Sequence, residues 1–244
     1  MPAAPTTPPP RLFRDEAHQK RPSRIAGMFD RIAPTYDFLN HLLSANVDRA
    51  WRRRAVDLLA LEGAERVLDV CTGTGDLAVA LLEGGAGRVE GCDFAPAMID
   101  LARKKAGDRV RFRVADALAL PYGDGAFDVV TVAFGVRNFH DLDRGLGEMA
   151  RVVRPGGRLL VLEFSRPTSP VVRGLYETYA MLVLPLIGSV VSGGGENAYA
   201  YLPRSVRAFP GPRELAGRLR GAGFRTVRIH RLTGGIAALH LATR

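Results

Sequence analysis

The run Val67-Leu68-Asp69-Val70-Cys71-Thr72-Gly73-Thr74-Gly75-Asp76-Leu77, followed by Val89-Glu90-Gly91-Cys92-Asp93, constrains this chain more than any other feature. An apolar strand enters a glycine loop that opens a helix, and the next strand ends in an acid. That is the arrangement that holds an adenosine-containing cofactor. Gly73 and Gly75 carry no Cβ, so the backbone can turn sharply there and come close to a ligand. Asp93, at the carboxyl end of the second strand, is placed to accept hydrogen bonds from two ribose hydroxyls.

The same rhythm continues downstream. Hydrophobic patterning predicts strands at 66–71, 88–93, 110–115, 127–134 and 158–164, with helices at 75–83, 95–105 and 142–153. Ahead of them, 46–61 has helical spacing, with Val47, Ala50, Trp51, Ala55, Leu58 and Leu59 on one broad face. A shorter helix is expected at 25–32, then a break and a short helix at 34–40. Strand–helix alternation implies a parallel sheet covered on both faces. After a helix at 212–222 the rhythm breaks. Strands 225–232 and 236–243 are joined only by Thr233-Gly234-Gly235, too short for a parallel crossover, so they must pair antiparallel. The expected fold is therefore α/β and Rossmann-like. Its mostly parallel seven-stranded sheet ends in an antiparallel hairpin, which is the class I methyltransferase version rather than the dehydrogenase one. At 244 residues the chain suits one such domain, 23–244, behind a Pro-rich leader, 1–22, read as disordered.

Gly73-Thr74-Gly75-Asp76-Leu77-Ala78 also satisfies a permissive dinucleotide fingerprint. Two features oppose that reading. None of the six tyrosines stands four residues before a lysine, as a short-chain reductase requires, and Asp76 in the first helical turn would repel a pyrophosphate. S-adenosylmethionine carries a sulfonium, an ammonium and a single carboxylate, and tolerates an acid there. Asp69 can reach its ammonium directly or through water. At Val114-Ala115-Asp116-Ala117, the Asp116 carboxylate can accept from the adenine amine while the Ala117 amide meets a ring nitrogen. The competing reading makes Asp116 a turn residue after a strand.

The formal charge is +9, from 34 Lys+Arg against 25 Asp+Glu, but the arginines are scattered and read as solvated surface. An RNA-binding or RNA-modifying protein is the rival that this charge raises. No Lys/Arg-rich appended module and no aromatic stacking series accompany it, so no nucleic-acid partner is expected. Cys71 and Cys92 lack any histidine spacing that would make a metal site, and are read as buried free thiols in a reducing compartment. The leader has no signal-peptide core, so the expected location is cytoplasmic, with room for peripheral contact at the inner face of the membrane. The apolar run 180–191 is too short to span a bilayer and contains Pro185, yet it can cover a greasy ligand.

Two further elements narrow the reading: Phe134-Gly135-Val136-Arg137-Asn138, and Arg154-Pro155-Gly156-Gly157-Arg158 leading into Leu162-Glu163-Phe164-Ser165-Arg166-Pro167. With Leu184 to Gly188 and Gly234 to His240, they make the chain resemble the demethylmenaquinone methyltransferase and 2-polyprenyl-6-methoxybenzoquinol methylase family. Those enzymes methylate a ring carbon of isoprenoid quinol precursors. The resemblance covers all but the leader, and places Thr74, Asp93, Asp116 and Ala117 on the family's cofactor-binding positions. It departs at Ala133, where many members have serine, and at Cys71-Thr72, where small residues are usual.

The chemistry so implied is an in-line displacement, which requires alignment and exclusion of water. A ring carbon is nucleophilic when a neighbouring phenol is losing its proton, which calls for a cation or base beside the ring oxygen. Arg137 and Asn138, just beyond the fourth strand, fit that need: Arg137 to stabilise a phenolate, Asn138 to orient it. The alternative has Arg137 pairing with Asp141 or Asp143. Tyr36 and His140 are the substrate-side candidates, His240 is a lesser one, and 175–191 is read as lining a passage for the prenyl tail. Whether the ring is a naphthoquinol or a benzoquinol, and whether the chain forms oligomers, stay open at this level.

Overall fold

The computed structural model describes Gly27, Ser44, residues 46–174, Thr178 and residues 198–244. The expectations for the leader, the helix at 25–32, Tyr36 in 34–40, and the apolar passage at 175–191 fall outside the described residues, apart from isolated positions.

Five strands, β1 (Arg66–Val70), β2 (Arg88–Asp93), β3 (Arg111–Val114), β4 (Phe127–Ala133) and β5 (Val153–Phe164), run parallel. The hairpin β6 (Thr226–Leu232) and β7 (Ala237–Thr243) adds two antiparallel strands through β7 beside β5. The order is β3-β2-β1-β4-β5-β7-β6. Chain direction across the sheet reverses between β1 and β4, so the loops leaving their carboxyl ends diverge and leave a crevice, the usual ligand position in such sheets.

Helices α1 (Val47–Leu59), α2 (Asp76–Glu83) and α3 (Pro96–Ala106) cover one face, and α4 (Leu142–Val152) and α6 (Pro212–Gly221) the other. Trp51, Ala55, Val56 and Leu59 form the buried stripe of α1, against Leu77 and Leu81 of α2 and Leu160 and Leu162 of β5. Leu146 and Met149 of α4 pack with Leu215 and Leu219 of α6 over Val130, Val132 and Val161. Asp141 caps α4, accepting from the Arg144 amide at 3.0 Å. Among the described residues, no helix is long and apolar enough to cross a membrane.

The seven strands and the hairpin match the expectation; several boundaries do not. β1 and β4 stop one residue early because Cys71 (φ 54°) and Phe134 (φ 57°) turn into the left-handed region. β5 begins at Val153, not 158. The Pro155-Gly156-Gly157 turn is absorbed as an irregularity between the pairs Phe127/Val153 and Val129/Arg158, and its backbone pairs with Arg244. Helix α5 (Ala198–Ala208) was not anticipated, and Pro203 in its interior hides it from pattern reading.

Candidate active site

The glycine loop leaves β1 at Cys71. The Thr72 amide donates to the Cys92 carbonyl at 3.0 Å, tying the loop to the end of β2, and Gly75 (φ 86°) starts α2. A Cβ on Gly75 would stand 3.1 Å from the Phe112 ring, so this position needs glycine for both space and backbone. At Gly73 (φ 56°) a Cβ would meet nothing within 4 Å: the loop faces open space there.

Asp93 ends β2 under this loop. One carboxylate oxygen accepts from the Gly73 amide at 3.0 Å and the other from the Ala95 amide at 3.0 Å, so the acid pins the loop and opens the next turn. Asp69 lies beneath, wholly buried, with one oxygen accepting from the Thr72 hydroxyl and the other from the Thr131 hydroxyl, both at 2.7 Å. Burial pushes its carboxyl up to about 6, against the lowering effect of the two hydroxyls. Both oxygens thus serve the loop and β4 directly, which a sequence reading could not show.

Thr74 is buried, and its hydroxyl accepts from the Lys105 ammonium at 3.1 Å. The same ammonium lies 2.6 Å from Asp76, and Arg52 of α1 reaches Asp76 at 3.7 Å. The carboxylate expected to repel a pyrophosphate is therefore offset by two cations, and that argument against a dinucleotide loses its force. The antiparallel hairpin carries the distinction instead.

After β3, Asp116 accepts from the Leu118 amide at 2.9 Å while its carbonyl accepts from Ala119 at 3.0 Å. The turn role is real, and it leaves the second carboxylate oxygen without a partner among the described residues. The buried Ala117 has no backbone partner for its amide among the described residues. An open acceptor beside an open donor fits an adenine edge. With Gly73, whose Cβ would meet no described residue within 4 Å, these residues could hold the adenosine part of S-adenosylmethionine.

Across the crevice, Val136–Asn138 form one 3-10 turn. Gly135 begins it, and a Cβ there would stand 2.4 Å from the Cβ of Cys71, so the two loops touch. Arg137 is buried and does not pair with Asp141 or Asp143: Asp141 caps α4, and Asp143 pairs with Arg218 at 2.8 Å. Its partner is Glu163, at the end of β5, 3.0 Å from the guanidinium Nη1, which also donates to the Phe134 carbonyl. The Arg137 Nε is buried without a partner among the described residues. Phe164 packs under the guanidinium at 5.4 Å, and Phe134, Phe164 and Trp51 form an aromatic corner with centroids 4.7 to 6.1 Å apart. The Trp51 indole donates to the Thr233 hydroxyl at 2.8 Å, fixing α1 to the hairpin turn.

Asn138 lies in the same turn, its amide donating to the Gly135 carbonyl at 3.0 Å, and His140 is exposed two residues on. His240 is a correction. It sits inside β7, opposite Val161 and Ile229, and donates through Nε2 to the Pro212 carbonyl at 2.9 Å. Burial holds its imidazole below the ordinary value, and it belongs to the packing under α6 rather than to the crevice. Both cysteines are free, Cys92 buried and Cys71 partly so. The sequence reading assigned no role to Glu163 or to the aromatic corner. An acid interrupting the apolar run Leu159 to Phe164 was the available signal for the former.

Comparison with known proteins bears on this geometry. The model of the ubiE/COQ5 methyltransferase family matches residues 16–244. A demethylmenaquinone methyltransferase of Thermus thermophilus is 53% identical over 221 residues, covering 89% of this chain and all of the relative. One from Deinococcus radiodurans is 51% identical, covering 91% and 92%. A ubiquinone/menaquinone biosynthesis C-methyltransferase of Geobacter sp. is 46% identical, covering 93% and 99%. Among solved structures, an O-methyltransferase family protein from Burkholderia thailandensis aligns with TM-score 0.64 at 20% identity, over 96% of this chain and 69% of that one. An S-adenosylmethionine-dependent methyltransferase from Mesorhizobium loti aligns with TM-score 0.58 at 17% identity, over 81% and 99%. These two carry the fold alone. A full-domain model match and relatives half identical along nearly their whole length place this chain in the ubiE/COQ5 methyltransferase family.

Proposed function

We propose that this chain is an S-adenosylmethionine-dependent C-methyltransferase acting on the ring of a polyprenyl quinol, with demethylmenaquinol as the first substrate to test. The observation that carries the reading is the crevice between β1 and β4. A glycine loop pinned by Asp93 faces a buried arginine bonded to Glu163 through Nη1 alone, in a chain whose relatives are named for quinone methylation.

When bound, S-adenosylmethionine supplies an electrophilic methyl group. Asp93 takes the ribose hydroxyls, Asp116 and the Ala117 amide take the adenine edge, and the backbone of Gly73, Thr74 and Gly75 shapes the loop around the remainder. Asp69 holds that loop through Thr72 and leaves a negative charge under the ammonium. On the other side, the Arg137 guanidinium donates from Nη2 to the ring oxygen as negative charge develops there, and Asn138 orients the same oxygen. Phe134, Phe164 and Trp51 keep water from the reacting ring. His140 and Tyr36 stand as substrate-side contacts, the latter from sequence alone. Contact of the crevice mouth with the membrane surface supplies the quinol.

The test is direct. Purified protein with S-adenosylmethionine and reduced demethylmenaquinone should give a product heavier by one methyl on the naphthoquinol ring, and S-adenosylhomocysteine should raise the melting temperature while NAD should not. Stabilisation by NAD alone overturns the cofactor assignment. Stabilisation by S-adenosylhomocysteine without quinol methylation moves the substrate to another class. Arg137→Ala should keep cofactor affinity and lose turnover on the order of a hundredfold, as when one donor to a developing oxyanion is removed. Normal turnover in that variant would take Arg137 out of the site.

A further inference from the structure

Glu163 is 1% exposed at the end of β5, in an otherwise apolar run. One oxygen accepts from the Arg137 Nη1 at 3.0 Å and from the Phe164 amide at 2.8 Å; the other accepts from the Arg137 amide at 3.3 Å. The guanidinium is thus tied to β5 by an ion pair, to its own turn through the Phe134 carbonyl, and to the Phe164 ring beneath it. Left over among the described residues are the Nε, buried within the turn, and Nη2, which makes no hydrogen bond and is not fully buried.

A stability argument does not account for this arrangement. Burying a carboxylate and a guanidinium costs more than packing two apolar side chains of similar volume, and the attraction rarely repays the desolvation in full. The Glu163 carboxyl is accordingly held above its ordinary range by burial even with Arg137 beside it. An ion pair with three extra hydrogen bonds does give a fixed direction, which a lone arginine, with its many rotamers, lacks.

We propose that Glu163 is a positioning residue for methyl transfer: it locks the Arg137 guanidinium through Nη1 so that the unpaired Nη2 is presented as a fixed donor, and it offsets the charge so that the turn carries a directed N–H rather than a loose cation. This rests on the quinol reading above and adds that orientation, not charge, is what Arg137 contributes. Glu163 touches neither substrate nor cofactor in this account and acts only through Arg137.

The experiment is a double-mutant cycle on the full chain with S-adenosylmethionine and reduced demethylmenaquinone. Glu163→Gln should lower kcat by on the order of tenfold to a hundredfold, with the KM for S-adenosylmethionine within about twofold of wild type. In an Arg137→Ala background it should cost nothing further. Arg137→Lys, which keeps the charge but lacks the planar fork that can bond Glu163 and still present a second N–H, should lose about as much as Arg137→Ala, and it supports or sinks the proposal even if Glu163→Gln does not fold. Wild-type kcat in folded Glu163→Gln, losses that multiply in the double variant, or near-normal turnover in Arg137→Lys would each overturn it. An active wild type beside an unimpaired Glu163→Gln rejects this proposal alone. A wild type inert on every quinol rejects the function proposed above together with it.

Discussion

On the β1–β3 side of the crevice the acids turn toward backbone amides; on the β4–β5 side the charges turn toward each other. Asp93 holds the Gly73 and Ala95 amides and Asp116 the Leu118 amide, so backbone donors fix both carboxylates beside the proposed nucleoside site. Arg137 and Glu163 neutralise one another in the interior and leave the rest of the guanidinium edge unpaired among the described residues. On the proposed function, the difference teaches that the two ligands would be met by different physics. A nucleoside is recognised by saturable acceptors that persist through the reaction. A ring oxygen that gains charge only during the reaction is met by a dipole that costs no reorganisation when it is used.

The largest effect should come from breaking the acceptor side. Asp93→Ala should weaken S-adenosylmethionine binding by roughly 2–4 kcal/mol, because hydrogen bonds to a charged acceptor contribute about 1.5–3 kcal/mol each and the loop loses its pin as well. Turnover at saturating cofactor should change far less. Calorimetry returning wild-type affinity for a folded Asp93→Ala protein would reject the ribose assignment.

Asp69 tests whether the acceptor side is itself under strain. Its folded carboxyl titrates near 6, above its ordinary 3.8, so the folded chain holds that proton more tightly than the unfolded chain does. Stability from this group is therefore full below about 3.8 and is lost as pH rises through about 6, an effect of roughly 2–3 kcal/mol. Asp69→Asn cannot ionise. The melting temperature of the wild type, measured relative to this variant, should fall between pH 4 and pH 7, and parallel melting curves across that range would contradict the buried-acid account.

The smallest effect probes the seam between the two sides. Gly135→Ala puts a Cβ against Cys71 and should destabilise the fold by about 1–3 kcal/mol, as overpacking does. Cys71→Gly removes both the obstructing side chain and a left-handed non-glycine residue, so it should recover much of that loss in the double variant. Additive losses in chemical denaturation would mean that the loops do not press on one another.

Much of the cofactor side was legible before any coordinates because its signals are local. Gly73 and Gly75 mark a turn, Asp93 closes a strand, and the three-residue link at Thr233 to Gly235 allows only an antiparallel pairing. The substrate side was legible only as a position. Arg137 lies just beyond β4 as expected, but its partner stands 26 residues away and was sought among its immediate neighbours. Strand ends were missed where Cys71 and Phe134 adopt positive φ without being glycine, since nothing in side-chain chemistry announces such a turn.

The sequence by itself determined the order of strands and helices, the glycine loop, the closing hairpin and the acids at the strand ends, because periodicity, turn length and the missing Cβ of glycine act over a few residues. Tertiary structure decided which charges meet. Asp69 lies between Thr72 and a Thr131 that is 62 residues away, Asp76 is quieted by Lys105 and Arg52, and Arg137 is turned onto Glu163. Each pairing depends on strand register and helix placement, and burial then makes it matter: once water is excluded, a charge takes whatever partner the fold brings within reach.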